Sequence, residues 1–350
     1  MIDWDLAVVA ASKLSGPGPT VSRAVAEAAV AELREGARRS TPLVRDFTGL
    51  DAPDDRSAPV LVVDRPGWIQ ANVDGFSTIL SPLVEKLRER RGTPSPMAEA
   101  IGSRVTGLEL GGLLGFMSTK VLGQFDPFHE PEPGAAAGRL LLVAPNIVHV
   151  ENELDVDPTD FRLWVCLHEE THRVQFTAVP WMRDHIHGQI AALVDSVEVD
   201  PAKLADMVGE GVKRIGDLLR GDDEVSLLDL VQSPEQKVVL DRITAVMSLL
   251  EGHADVVMDG VGPTVIPSVE DIRKKFNQRR KGAGGFDRVI RRLLGLDAKM
   301  AQYRNGAAFV RGAIDKVGMD GFNAVWAQPE NLPSRDEIGD PGAWVRRVHG

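Results

Sequence analysis

The chain of 350 residues has a single cysteine, Cys166, and a single tyrosine, Tyr303. One cysteine excludes an intrachain disulfide and any zinc site built from several thiolates, and it suits a reducing compartment. Positive charge is in deficit: 40 Lys and Arg against 51 Asp and Glu give a formal net charge of −11. That is the wrong sign for a protein whose main task is to grip phosphate backbones. The most apolar stretches all carry charges, so no membrane span is expected. The N-terminal MIDWDLAVVAASKLSGPG is acidic where a signal peptide is basic. These absences lead to the expectation of a cytoplasmic protein that binds neither nucleic acid nor membrane. Internal repeats are missing and strand signals are few. The expected fold class is therefore mainly α (α+β), with a small sheet.

Helical signals dominate what is present. In PTVSRAVAEAAVAELREGARRS, Ala and Val recur at helical spacing, with Pro19 and Thr20 as a start signal and Gly36 near the expected end. Gly107, Gly111 and Gly115 recur every four residues and line one face of a helix that another helix can approach closely. VLVVD (60–64) reads equally as a short strand or a helix. RLLLVAPNIVHVENEL (139–154) is rich in aliphatic and β-branched residues and reads as a strand, with Pro145 marking an edge or a break.

Residues 168–172 read HEETH. They lie in a segment with Asp157 as N-cap, Pro158 in the first turn and Pro180 as a stop, which predicts a helix over 158–179. Residues four apart share a helix face, so His168 and His172 can offer two imidazoles to one ion. Glu169 is adjacent but not a ligand, which suits a base acting on water acidified by the metal. Glu170 and Thr171 read as spacers. Cys166, two residues before His168, points to another side of the helix and reads as a small buried hydrophobe.

A catalytic zinc usually takes three protein ligands and keeps one position open. HEETHRVQF lacks the downstream Gly-x-x-His that supplies a third histidine in metzincins, although His185 and His187 follow. A helix expected over 234–259, opened by a Ser233–Gln236 capping box, offers another solution. Leu240, Ile243, Met247 and Leu250 form an apolar stripe that continues onto Glu251 and Asp255. Acids where core is expected are costly unless paired or bound to metal. Glu251 is the candidate third ligand. Asp255 is the candidate acceptor for a ligand histidine's free N–H, and Gly252 leaves room for close helix approach.

His168-Glu169-x-x-His172 with Glu251-x-x-x-Asp255 resembles the gluzincin pattern. With VVDRPGWIQAN, LGFMSTKVLGQFD, LLLVAPNIVHVE and KMAQYRNGAAFV, the chain resembles the zincin-like metallopeptidase type 2 family of actinobacterial proteins, over roughly residues 60–330. The resemblance implies one zinc ion and a zincin-like catalytic domain over 59–330, between an N-terminal helical segment (1–58) and a tail (331–350). It also implies an edge strand before the HExxH helix that runs along the cleft, with Asn146 and the backbone near Ala144 facing a peptide or protein substrate. The gap from His172 to Glu251 is 79 residues (251 − 172), far longer than in compact gluzincins.

Tyr303 is a candidate oxyanion donor, or an ordinary packing tyrosine. His253, two residues from Glu251, lies off the ligand face. Glu109 is either a group supporting the site or solvent-facing. The basic cluster Arg273, Lys274, Lys275, Arg279, Arg280, Lys281, Arg288, Arg291 and Arg292 reads as a solvated face. The expected function is zinc-dependent hydrolysis of an amide or peptide bond. The alternative is a metal-stabilised scaffold that binds a protein partner and cleaves nothing.

Overall fold

The computed structural model describes residues 2–51, 58–91, 96–130, 137–196, 234–281 and 296–350. Among them the fold is mainly helical around a three-stranded sheet, as expected. Two compact units form: Met1–Ala178 with Val257–Lys275, and Val179–Val256 with Phe276–Gly350.

In the first unit, α1 (Trp4–Ser15) and α4 (Pro96–Ser118) cross along the glycine face. A methyl group on Gly111 would meet Ala7 and Ala10, and one on Gly115 would meet Ala11 and Leu14. The glycines therefore serve close helix packing. α2 (Arg23–Thr48) begins at a Ser22 cap and ends at Gly49 in the left-handed region. It runs straight through Gly36, because that glycine lies against Cys166 and Leu163 of α6 (Pro158–Ala178) rather than at a helix end. α1 and α2 thus both pack within this unit.

The sheet has the order β1-β3-β2. β1 (Val60–Val63) pairs in parallel with β3 (Arg139–Val143), and β2 (Gly123–Asp126) pairs antiparallel with β3. β1 leads into α3 (Arg65–Arg91). The strand expected over 139–154 is cut short: β3 ends at Val143, and Ala144–Leu154 is a helix, α5. Pro145 sits in the first turn of α5, where a missing N–H costs nothing. β3 is fully buried and central. The antiparallel edge strand is β2, which follows the glycine-lined helix α4.

α6 follows α5 and starts as expected, with the Asp157 side chain accepting from the Asp160 amide at 2.9 Å. The second unit contains α7 (Pro180–Ser196), α10 (Leu296–Phe322), α11 (Arg335–Gly339) and α12 (Pro341–His349). α11 and α12 pack on α10. α8 (Pro234–Val265) is one unbroken helix that continues through Gly260 and Gly262, glycines expected to end it. Ser233, its expected cap, lies outside the described residues. α9 (Val269–Lys281) follows α8. No helix among the described residues is long and apolar enough to cross a membrane.

Candidate metal centre

α6 is buried along most of its length, and its angular spacing sorts its polar residues by role. His168 and His172 lie on one face and are half-buried. Their Nε2 atoms are 3.3 Å apart. Two ligands about 2.0–2.1 Å from a tetrahedral zinc stand about 3.3–3.4 Å from each other, so the pair already has the separation one ion requires. Each ring turns its other nitrogen away. Nδ1 of His172 is 3.0 Å from Gln175 Oε1, and Nδ1 of His168 is 3.2 Å from Met258 Sδ. An amide oxygen accepts from an N–H, so Gln175 favours the tautomer that leaves Nε2 of His172 free to ligate.

Met258 is on α8. Glu251 precedes it by seven residues, two helical turns, and therefore lies on the same face. One ligand atom each from His168, His172 and Glu251 fall within 4.8 Å of one another. Two imidazoles and one carboxylate are the donor set of a catalytic zinc with an open position, and the geometry fits that ion. Asp255 is half-buried one turn beyond Glu251. Gln175 was missed by sequence reasoning. Its signal was a polar amide at position i+3 from His172, between Val174 and Phe176.

Glu169 is 7% exposed. A methyl group on Gly123, the first residue of β2, would come within 2.6 Å of its Cδ. The edge strand therefore passes directly against this carboxylate, and only glycine leaves it room.

Glu170 is no spacer. It is 0% exposed, and its Oε2 accepts from Arg173 Nε at 2.8 Å and from the Thr41 hydroxyl at 3.2 Å. Burial pushes its carboxyl above the ordinary value, opposed by Arg173 and Thr41. Thr171 is buried too and donates to the Leu167 carbonyl at 2.8 Å. Cys166 is the expected buried hydrophobe: burial raises its thiol pKa, with Glu170 and Glu169 adding to the rise.

Other expected site residues are placed elsewhere. Asn146 is 1% exposed in the first turn of α5 rather than on a strand. It accepts from Arg65 Nε at 2.8 Å and donates to the carbonyls of Ser118 and Val121, both at 2.7 Å. Its amide is engaged in holding α5 to the end of α4, which corrects the expectation that it faces substrate. Tyr303 falls in α10, and its side chain lies outside the described residues. His253 is buried against Phe322 and Trp326. Glu109 is exposed. In the basic cluster, Arg273 pairs with Asp259, and Lys275 with Asp271 at 2.9 Å. Arg288, Arg291 and Arg292 lie outside the described residues.

Within the second unit, α8 and α10 meet by close backbone contact. A methyl group on Gly252 would run into the backbone of Gly306 and Ala307, and one on Gly306 into the Ser248 carbonyl. The room expected beside Glu251 is thus taken by α10.

No curated protein matches this sequence. Among solved structures, the chain is similar to a Chloroflexus aurantiacus protein described as a candidate hydrolase with a novel fold. Identity is 33% and the TM-score 0.72, with 100% of this chain and 99% of the other covered. The profile of the zincin-like metallopeptidase family matches residues 2–345. The chain belongs to the zincin-like metallopeptidase family.

Proposed function

We propose that this protein is a zinc-dependent hydrolase that cleaves an amide bond in a peptide or protein segment. The observation that carries the reading is the convergence of His168, His172 and Glu251 to within 4.8 Å, with Glu169 next to the first histidine in sequence. When bound, a zinc ion in such a site acidifies water towards neutral pH and polarises a carbonyl. The chain's own residues supply the rest. Nε2 of each histidine and a Glu251 oxygen hold the ion, and Gln175 keeps the His172 ring in its ligating tautomer. Glu169 takes a proton at its carboxylate and passes it to the departing amine. Its position against Gly123 keeps the carboxylate pointed by backbone rather than by a mobile side chain.

The edge strand supports an extended substrate. β2 is bonded to β3 on one side, and a peptide laid along its other side would gain main-chain hydrogen bonds. This replaces the strand first expected to do so. The single buried thiol suits work in the cytoplasm.

The test is hydrolysis of a peptide library by the zinc-loaded protein and by Glu169→Gln. The expected result is a loss of about 10²–10⁴-fold in turnover with zinc retained. Undiminished turnover in that variant contradicts the mechanism. Absence of hydrolysis in both supports the scaffold that binds a partner without cutting it.

A further inference from the structure

On the side of α6 away from the histidines lies a hollow of about 570 Å³, lined by Arg34, Arg38, Thr41, Arg45, Glu170 and Arg173 among others. That volume is typical of a small-molecule site. In a chain of net charge −11, four arginines there face one glutamate. Arg34, Arg38, Thr41 and Arg45 follow at spacings of four, three and four, so a single face of α2 presents them.

The floor of the hollow is built and rigid. Arg173 is 7% exposed, and each of its three nitrogens donates inward. Nε goes to Glu170 at 2.8 Å, Nη1 to the Ala58 carbonyl at 2.9 Å and Nη2 to the Thr41 hydroxyl at 2.9 Å. Glu170 Oε2 is taken by Arg173 and Thr41. Its other oxygen, Oε1, is buried with no hydrogen-bond partner among the described residues.

The rim differs. Arg38 pairs with Glu35 at 2.6 Å and Arg45 with Asp51 at 3.0 Å, and the carboxylate side chains are 51% and 92% exposed. An exposed pair such as Arg38–Glu35 contributes about 0–1 kcal/mol, so an incoming anion can exchange for Glu35 at little cost. Arg34 is exposed at the same rim. Guanidinium forks match the oxygens of a phosphate.

We propose that this hollow binds a small phosphate anion, free or as an ester, with its oxygens on Arg34 and Arg38 at the rim, beside Arg45. Inorganic phosphate and glycerol 2-phosphate both carry oxygens for the rim. The site is separate from the metal centre and independent of whether the protein hydrolyses anything.

Isothermal titration of the intact, metal-loaded protein with each compound, at constant ionic strength, tests the proposal. Saturable binding of one anion per chain is expected, and the tighter compound identifies the source of the phosphate. In Arg34→Ala/Arg38→Ala, where both side chains are exposed and the fold is not at risk, affinity is expected to fall roughly tenfold or more, with metal content unchanged. Two results would overturn the proposal. One is no saturable binding of either compound up to about 10 mM. The other is undiminished binding in the double variant, which would put the anion elsewhere, the metal centre included.

Discussion

Glu169 and Glu170 are neighbours in sequence, identical in type and both buried, yet they do different things. About 100° of helix rotation separates them. Glu169 stands on the side of His168 and His172, pressed by the Gly123 backbone. Glu170 stands on the side of Cys166 and Arg173, tied to α2 through Thr41. One face of α6 carries the proposed chemistry and the other attaches the helix to α2. A motif written HExxH marks the first and is silent on the second.

The comparison is broken most severely from the attachment side. Glu170→Ala strips a buried Arg173 of its partner. It is expected to cost about 3–5 kcal/mol, read by urea denaturation of the metal-free protein. Glu169→Gln, which keeps shape and removes charge, is expected to cost under about 1 kcal/mol in the same assay. Equal losses in the two variants would dissolve the distinction between the faces.

Gly123→Ala acts on the other face. The added methyl pushes the Glu169 carboxylate out of place, and a displacement near 1 Å is expected to lower turnover about 10²-fold, with zinc content unchanged. Wild-type turnover would mean that the edge strand does not position Glu169. Gln175→Ala is expected to weaken zinc affinity by about 10–100-fold, measured by competition with a chelator. An unchanged affinity would remove Gln175 from the site.

The smallest effect concerns Cys166. At 0% exposure beneath Gly36, the thiol is expected to resist alkylation in the native protein and to react fully after unfolding. Rapid native labelling would show that the α2–α6 contact opens.

Much of the candidate metal site was legible in the sequence because helical periodicity is strong over long segments. His168 and His172 fall on one face by spacing alone, and Glu251 stands out as an acid on an apolar stripe. The sheet was less legible. Leu, Ile and Val suit a buried strand and a buried helix alike, so 139–154 read as one element although Pro145 opens a helix there. That single error moved Asn146 to the wrong role and hid β2 as the edge strand. Glu170 escaped for a different reason: its partners, Thr41 and Arg173, include one 129 residues away, and no local pattern reports such a contact.

The account rests on a metal held by three named ligands. Its most direct test is the metal content of purified wild-type protein and of Glu251→Ala by elemental analysis after equal exposure to zinc. One zinc per chain is expected in the wild type and a large loss in the variant. Stoichiometric zinc retained by Glu251→Ala would contradict the ligand set.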